Sequence, residues 1–305
     1  MSGHERSGTT LLHNLLMLHP KARALLRWEL VRPTPPPEAA TYATDPRIAA
    51  TQKTIDGLKG SLLEQMHWVN ADDPEECIFG FYNTSGILGA APAFAMQDWT
   101  DWLGSCQPEI AFREYRMLIK LLLWRNPAPE GGHLVLKCPQ ISKQLHLWLK
   151  VFPEAKMILT HRDPFRMSTS VATLMAHINE PFVKKSVSDR EEMMAEYATK
   201  LTETKCAALV DFDTTAAIKP VNIKYDDLVS DAPGITAAMH DQLGAASWPT
   251  LEADVSAFLT SQKRAAPPRE MPTFGLEHKA FLSRPLIAAY CEHFGLSPER
   301  QLVTG

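Results

Sequence analysis

The sequence has 305 residues, 45% of them hydrophobic, and a formal net charge of −4 from 31 basic and 35 acidic residues. This length and composition are sufficient for one continuous core, so we expect a single globular domain over residues 1–305. The slightly acidic balance gives no reason to expect nucleic-acid binding or attachment to an anionic membrane surface. Any basic binding site has to be local.

The cysteines indicate a reducing compartment. There are five, widely scattered, with no C-x-x-C pair and no histidines at zinc spacing (Cys77, Cys106, Cys138, Cys206 and Cys291). A charged segment followed by an apolar one, as in a secretory signal, is not found at the start. We therefore expect a cytoplasmic protein without a structural metal.

The first ten residues form the most informative stretch, in which GHERSGTT precedes an apolar helical pattern. Gly3 and Gly8 have the spacing of the G-x-x-x-x-G-K-[ST] phosphate loop, but Thr9 and Thr10 take the places of Lys and Ser/Thr. Backbone N–H groups and the dipole at a helix N-terminus attract anions. The pattern therefore predicts an anion site, although a disordered terminus or a simple helix cap is the alternative. The missing lysine argues against a standard ATPase.

Glu29 follows the first helix by a short run and precedes the Pro-rich segment VRPTPPPE, which predicts a loop. If the chain folds back here, Glu29 lies near the phosphate loop, whereas a solvated glutamate is the alternative. Residues 38–68 then show helical spacing of apolar residues.

Residues 77–97 carry no charge, which by length alone resembles a membrane span. Asn83, Pro92, Gln97 and three glycines make a poor transmembrane helix, so we expect no span here and instead a buried or pocket-lining segment. Ordinary core is the alternative. An amphipathic helix is predicted over Tyr115–Trp124, and a last one over Pro285–Gly295.

Three β-like runs alternate with helical patterns, namely 133–138 (HLVLKC), 156–161 (KMILTH) and 221–225 (VNIKY). This alternation predicts an α/β fold with a parallel sheet covered by helices on both faces. Ligands of such sheets bind at the carboxyl ends of the strands. Those ends carry Lys137, then His161 to Asp163, then Tyr225 to Asp227.

A second anion signal lies in HRDPFRMSTS. Arg162 leaves a strand end, and Ser170 follows about two turns into the next helix. A guanidinium and a hydroxyl so placed can hold one phosphate from two sides. The alternative is a surface pair between Arg162 and Asp163 with a helix cap.

Taken together, the chain resembles the sulfotransferases that use 3′-phosphoadenosine 5′-phosphosulfate (PAPS), especially the bacterial branch with an R-S-G-T-T loop. The resemblance rests on five segments in the family's order: GHERSGTTLLHNLL, VLKCP, FPEAKMILTHRDP, HRDPFRMSTS and IKYDDLVSDAP. It implies a P-loop-like parallel sheet flanked by helices, with a helical insertion at about 38–130 forming the acceptor side. It also implies PAPS as co-substrate without a metal, and a small-molecule acceptor with a hydroxyl or amine.

The resemblance also implies roles for individual residues. The 5′-phosphosulfate loop would be Arg6, Ser7, Gly8, Thr9 and Thr10. The 3′-phosphate contacts would be Arg162 and Ser170. Lys137 would face the sulfuryl group and, with Arg6, stabilise the bridging oxygen as the S–O bond breaks.

Two features depart from the family pattern. The histidine of the family's L-K-S-P-x-H is absent, because the chain reads LKCPQI there, so Glu29 is the candidate general base, with His13 second. Relatives also have a β-strand ahead of the phosphate loop, and here the strand is expected to be absent or truncated, unless translation begins upstream.

Two other functions are also compatible with the sequence. One is a P-loop kinase-like phosphotransferase, which would depend on Mg²⁺. The other is a catalytically degraded relative that binds nucleotide weakly or not at all. The acceptor and the oligomeric state, a homo-oligomer included, are not readable from the sequence.

Overall fold

The structure is a computed structural model, and it describes residues 1–57, 59, 70–84, 108–179, 183–245, 247–261, 273 and 275–297. The strands are β1 (Ser2–Gly3), β2 (Ala22–Ala24), β3 (His133–Val135), β4 (Ile158–His161) and β5 (Val221–Lys224). The first helices are α1 (Thr9–Leu16), α2 (Arg27–Val31), α3 (Pro46–Asp56), α4 (Cys77–Phe81), α5 (Pro108–Leu123), α6 (Leu145–Val151) and α7 (Pro164–Ile178). The remaining helices are α8 (Val187–Thr215), α9 (Tyr225–Ser230), α10 (Ala232–Gln242), α11 (Leu251–Ser261), α12 (His278–Leu282) and α13 (Pro285–Phe294).

All strand pairs of the described chain are parallel, as predicted. One sheet has the order β1-β4-β5, and a second sheet pairs β2 with β3. Met1 links the two sheets, because its amine donates to the Leu136 carbonyl at 2.6 Å and the Cys138 N–H donates to the Met1 carbonyl at 3.1 Å. The carboxyl ends of the strands therefore meet along one edge.

Helices cover both faces of the sheet, which confirms the predicted layers. Ile158 and Leu159 follow each other in β4 and therefore point to opposite faces. Leu159 packs in a cluster with Trp148 of α6, whereas Ile158 packs in another with Leu12 of α1 and Met239 of α10.

The three predicted strands are present but shorter than expected, and β2 was not predicted. Its sequence, Ala22–Ala24, has no β-branched or aromatic residue. It is a strand because all three residues pair with β3. The strand ahead of the phosphate loop, expected to be absent or truncated, is present as the two residues of β1 against β4.

The predicted helices are found where the structure describes them. The region from 38 to 56 forms a 3₁₀ turn (Ala39–Thr44) and α3, while Leu58, Leu62 and Leu63 lie outside the described residues. The helix predicted from Tyr115 begins earlier, at Pro108, and the last one is α13. Of the uncharged segment, α4 is buried except for the partly exposed Phe79, and residues 85–97 lie outside the description. No helix within the described ranges has the length and apolar character needed to cross a membrane.

Helix α8 anchors the phosphate loop through contacts with His4 and Glu5. The His4 Nε2 lies 2.9 Å from the Thr202 hydroxyl, and the buried Lys205 forms an ion pair with Glu5. Lys205 also donates to the Pro139 carbonyl at 2.9 Å. This helix thereby fixes the loop relative to the chain that follows β3.

His161, at the end of β4, makes folding dependent on pH. Its ring is buried, with Nδ1 2.9 Å from the Tyr290 hydroxyl and Nε2 2.9 Å from Asn222 Oδ1, and burial lowers its pKa to about 4. The unfolded histidine, with an ordinary pKa of 6.5, binds a proton first as the pH falls. The free energy of unfolding therefore decreases as the pH falls from about 6.5 to about 4.

We expect the free energy of unfolding to fall by about 3 kcal/mol over this range on account of His161. Urea unfolding at pH 7 and pH 4.5 measures it. In His161→Gln the difference between the two pH values should be smaller but not zero, because buried His4 has a similarly lowered pKa, also about 4. An identical pH dependence in the variant and the wild type would contradict this assignment.

Candidate active site

The phosphate loop has a strained backbone that turns its side chains in opposite directions. Gly8 precedes α1 with φ of +92°, and a Cβ at this position would lie 2.6 Å from the Tyr225 ring. Arg6 has φ of +70°, a left-handed conformation that is unusual for a non-glycine residue and costs about 1–3 kcal/mol. Thr9 is buried in the first turn, whereas Thr10 is partly exposed. No side chain caps this helix start, which leaves its N–H groups available to an anion.

Ser7 has a different position from the other loop residues. Its hydroxyl is fully buried, donates to the His4 carbonyl at 2.6 Å and lies 2.6 Å from the Thr160 hydroxyl of β4. The Ser7 N–H also donates to the His4 carbonyl, at 3.3 Å. Ser7 therefore holds the loop against the sheet, and its role in binding a ligand stays a prediction.

The two predicted phosphate-binding elements are in direct contact. Arg6 Nε donates to the Ser170 hydroxyl at 2.9 Å, and Arg162 Nη1 donates to the Arg6 carbonyl at 3.2 Å. The Arg162 guanidinium also lies 4.0 Å from the centre of the Tyr225 ring, a cation–π contact. The carboxyl end of β4 and the start of α1 thus form one basic cleft.

Lys137 lies at the same cleft, just beyond β3. Its side chain is almost completely buried, and Nζ donates to the Thr10 hydroxyl at 3.3 Å. The same Nζ lies 3.3 Å from Glu76 Oε1, and Gln140 donates to Glu76 Oε2 at 2.9 Å. A buried ammonium group at the helix start is suited to bind an anion held by the loop.

Glu29, the predicted general base, lies in α2 with a fully buried carboxylate. Arg23 binds both of its oxygens, at 2.5 and 3.1 Å, and the Leu26 N–H donates to Oε2 at 2.8 Å. The carboxylate thus caps α2 and neutralises Arg23. These contacts support a structural role, and the role as base stays a prediction.

His13, the second candidate base, is buried on α1. Burial lowers its pKa well below the ordinary value, and the nearby Lys137 cation lowers it further. The imidazole is therefore neutral at physiological pH and a weak base.

Sequence reasoning missed Glu76. Its one visible signal is the pair of glutamates in DDPEEC, directly before the uncharged segment. Residue spacing could not identify Glu76, because its contact is with Lys137, 61 positions further along the chain. The two residues pair as an isolated parallel bridge.

A large cavity of about 900 Å³ lies elsewhere in the molecule. It is lined by residues near the amino-terminal ends of β3 and β4 and by side chains of α10 and its surroundings, including His133, Lys156, His240 and Trp248. None of the predicted site residues line it. Leu136 and Cys138, the chain neighbours of Lys137, do line it.

The comparisons with known proteins agree with this geometry. A family model described as the sulfotransferase family matches residues 1–250. Sulfotransferase STF9 from Mycobacterium avium superimposes with a TM-score of 0.82 at 22% identity, covering 97% of this chain and 76% of that protein. Sulfotransferase STF1 from Mycobacterium tuberculosis H37Rv gives 0.76 at 19% identity, covering 94% of this chain and 75% of that protein. A comparison with curated proteins gives no match.

The structural likeness shows that the parallel sheet with its flanking helices is the fold of these two mycobacterial proteins. The family match covers the phosphate loop, the Lys137 strand, the Arg162–Ser170 element and the Y-D-D-L helix in a single stretch. The chain therefore belongs to the sulfotransferase family and is a sulfotransferase enzyme.

Proposed function

We propose that this enzyme transfers the sulfuryl group of PAPS to a hydroxyl, or an amine, of a small acceptor by in-line displacement. The observation that supports the proposal most strongly is the contact of Arg6 with Ser170 and of Arg162 with the Arg6 carbonyl. These contacts bring two anion-binding elements together, and PAPS is a nucleotide with anionic groups at both its 3′ and its 5′ positions.

The loop residues Arg6 to Thr10 would bind the 5′-phosphosulfate, chiefly through the backbone N–H groups at the start of α1. Arg162 and Ser170 would bind the 3′-phosphate. In the structure the Ser170 hydroxyl oxygen accepts a hydrogen bond from Arg6. Its own hydrogen can therefore be donated to a phosphate. Arg6 would then turn toward the 5′ end of the donor.

Lys137 and Arg6 would stabilise the leaving group. As the acceptor oxygen bonds to sulfur, the bond from sulfur to the 5′-phosphate oxygen breaks and negative charge grows on that oxygen. Preorganised cations at this position lower the barrier because they bind the transition state more tightly than the ground state. Lys137 is preorganised by its burial and by its bond to Thr10.

The acceptor would approach from the helical insertion at about 38–130, whose described part includes Phe79 and Tyr82 in edge-to-face contact at 5.8 Å. The exposed Tyr82 ring is consistent with an apolar or aromatic acceptor. We propose a cytoplasmic location and no metal requirement, in agreement with the scattered cysteines.

The proposed function is tested by two measurements on the wild-type protein. Titration calorimetry should detect binding of adenosine 3′,5′-bisphosphate, and a panel of phenols, alcohols and amines should include at least one acceptor labelled from [³⁵S]PAPS. Nucleotide binding without any labelled product would favour the degraded-relative hypothesis. The absence of both would reject the proposal.

Arg162→Ala should weaken the binding of adenosine 3′,5′-bisphosphate far more than the binding of adenosine 5′-monophosphate, because the guanidinium is assigned to the 3′-phosphate alone. A charge-assisted hydrogen bond contributes about 1.5–3 kcal/mol, so calorimetry should show a loss of about ten- to a hundredfold. Arg125→Ala, which removes an exposed arginine paired with Glu38, is the control. An equal loss for both nucleotides would refute the assignment.

Activity should survive EDTA, because cations of the protein rather than Mg²⁺ are assigned to the leaving group. Asp226 and Asp227, the carboxylates next to the cleft, are both exposed on α9. Within the described residues, no group of three or more potential ligands is placed to hold a metal ion. Loss of turnover on chelation, restored by Mg²⁺, would instead support a phosphotransferase.

Glu29→Gln should lower the free energy of unfolding by about 3 kcal/mol, because it leaves the Arg23 charge without its buried partner. Denaturant titration of the variant and the wild type measures the difference. If Glu29 is instead the general base, as the sequence predicts, the variant should keep the stability of the wild type and have a kcat lower by about a hundredfold or more. That outcome would contradict the structural role.

A further inference from the structure

The segment that precedes α4 lies directly along the chain that follows β3. Glu76 and Lys137 form an isolated parallel bridge, and the Cys77 N–H donates to the Lys137 carbonyl at 2.9 Å. Their side chains extend from this bridge and form an ion pair, with 3.3 Å between Glu76 Oε1 and Lys137 Nζ. The position of Glu76 is thus set by backbone pairing as well as by the ion pair.

Glu76 differs in exposure from the two other glutamates of this region. Glu29 and Glu75 have fully buried carboxylates, and each is neutralised by an arginine of its own, Arg23 and Arg27. The Glu76 side chain is 14% exposed. Of these three glutamates, therefore, Glu76 alone has a side chain with surface open to an acceptor and to solvent.

The two oxygens of Glu76 have different partners. Gln140 Nε2 donates to Oε2 at 2.9 Å and holds the carboxylate in place. Oε1 faces the Lys137 ammonium, which also donates to Thr10 at the start of α1. One lysine side chain therefore separates Oε1 from the anion site.

We propose that Glu76 is the catalytic residue that accepts the proton of the acceptor. This inference rests on the proposed sulfuryl transfer and adds the proton acceptor to it. When the donor is bound, Lys137 turns from Glu76 to the sulfuryl group and the bridging oxygen, and Oε1 becomes free to accept a hydrogen bond from the acceptor hydroxyl.

The acceptor oxygen forms a bond to sulfur, the bond from sulfur to the 5′-phosphate oxygen breaks, and its electron pair stays on the phosphate. The proton of the acceptor moves to Glu76 Oε1. It passes from there to solvent, since the Glu76 side chain is partly exposed.

The residues around Lys137 support this placement over a base in the 3₁₀ turn that follows it, Pro139–Lys143. Ile141, which stands where the histidine of the family pattern would be, is an apolar residue with 2% exposure. The partly exposed carboxylate beside Lys137 instead comes from the neighbouring segment.

Glu76→Gln tests the proposal, with the acceptor identified in the PAPS screen. Gln has the same shape and no basic oxygen, so kcat should fall by about a hundred- to ten-thousandfold, whereas calorimetry should give an almost unchanged Kd for adenosine 3′,5′-bisphosphate. The matched control is Glu196→Gln, which removes an exposed carboxylate paired with Lys200 on α8 and should leave kcat unchanged.

The pH profile separates a proton acceptor from a residue that only positions Lys137. Over the pH range in which both proteins stay folded, kcat of the wild type should decline toward acidic pH, and Glu76→Gln should lose this acidic decline. A lower kcat with the acidic decline retained would overturn the role as proton acceptor.

The outcomes for the inference and for the proposed function are distinct. A wild-type enzyme that transfers label and a Glu76→Gln variant with wild-type kcat would overturn the inference alone. A wild-type protein that neither binds the nucleotide nor transfers label would overturn both. If Glu76→Gln does not fold, Glu76→Asp replaces it: a retracted carboxylate should lower kcat and keep the acidic decline, and an unchanged kcat would contradict the proposal.

Discussion

The geometry of the site depends on the side chains that hold the phosphate loop against the rest of the protein. His4, Glu5 and Ser7 all point into the protein, where they contact Thr202, Lys205 and Thr160. Because these buried contacts fix three of the loop's side chains, the backbone between them is kept in a strained conformation, with Arg6 at φ of +70°. The strain is stabilised by the surrounding structure and leaves Arg6 and the first N–H groups of α1 facing the cleft.

The same arrangement couples the loop to the rest of the cleft. Arg6 contacts Ser170, its carbonyl accepts from Arg162, and Thr10 accepts from Lys137. The three cations, Arg6, Lys137 and Arg162, follow β1, β3 and β4, so a shift of the loop changes every one of them together. A donor that binds both elements would exchange these internal contacts for its own, and we infer that this exchange frees Lys137 from Glu76.

Four glutamates near the loop and the cleft show how environment separates similar residues. Glu5, Glu29 and Glu75 have buried carboxylates or buried partners, and each pairs with a cation that anchors an element of the fold. Removing one partner of such a pair destabilises the protein, which makes these residues poor candidates for chemistry. Glu76 differs in its partner, because Lys137 also donates to Thr10 at the predicted anion site.

The sequence alone determined the α/β class, the phosphate loop, the Arg162–Ser170 element and the location of Lys137 at a strand end, because each depends on residues close together in the chain. The two-residue β1 and the Ala-rich β2 could not be predicted, since they are strands only through pairing with β4 and β3. The partners of the glutamates were likewise decided by the tertiary structure. Glu29 is enclosed by Arg23, and Glu76 reaches Lys137 across 61 positions, because burial and long-range pairing, rather than residue type or spacing, determine which carboxylate is free to react.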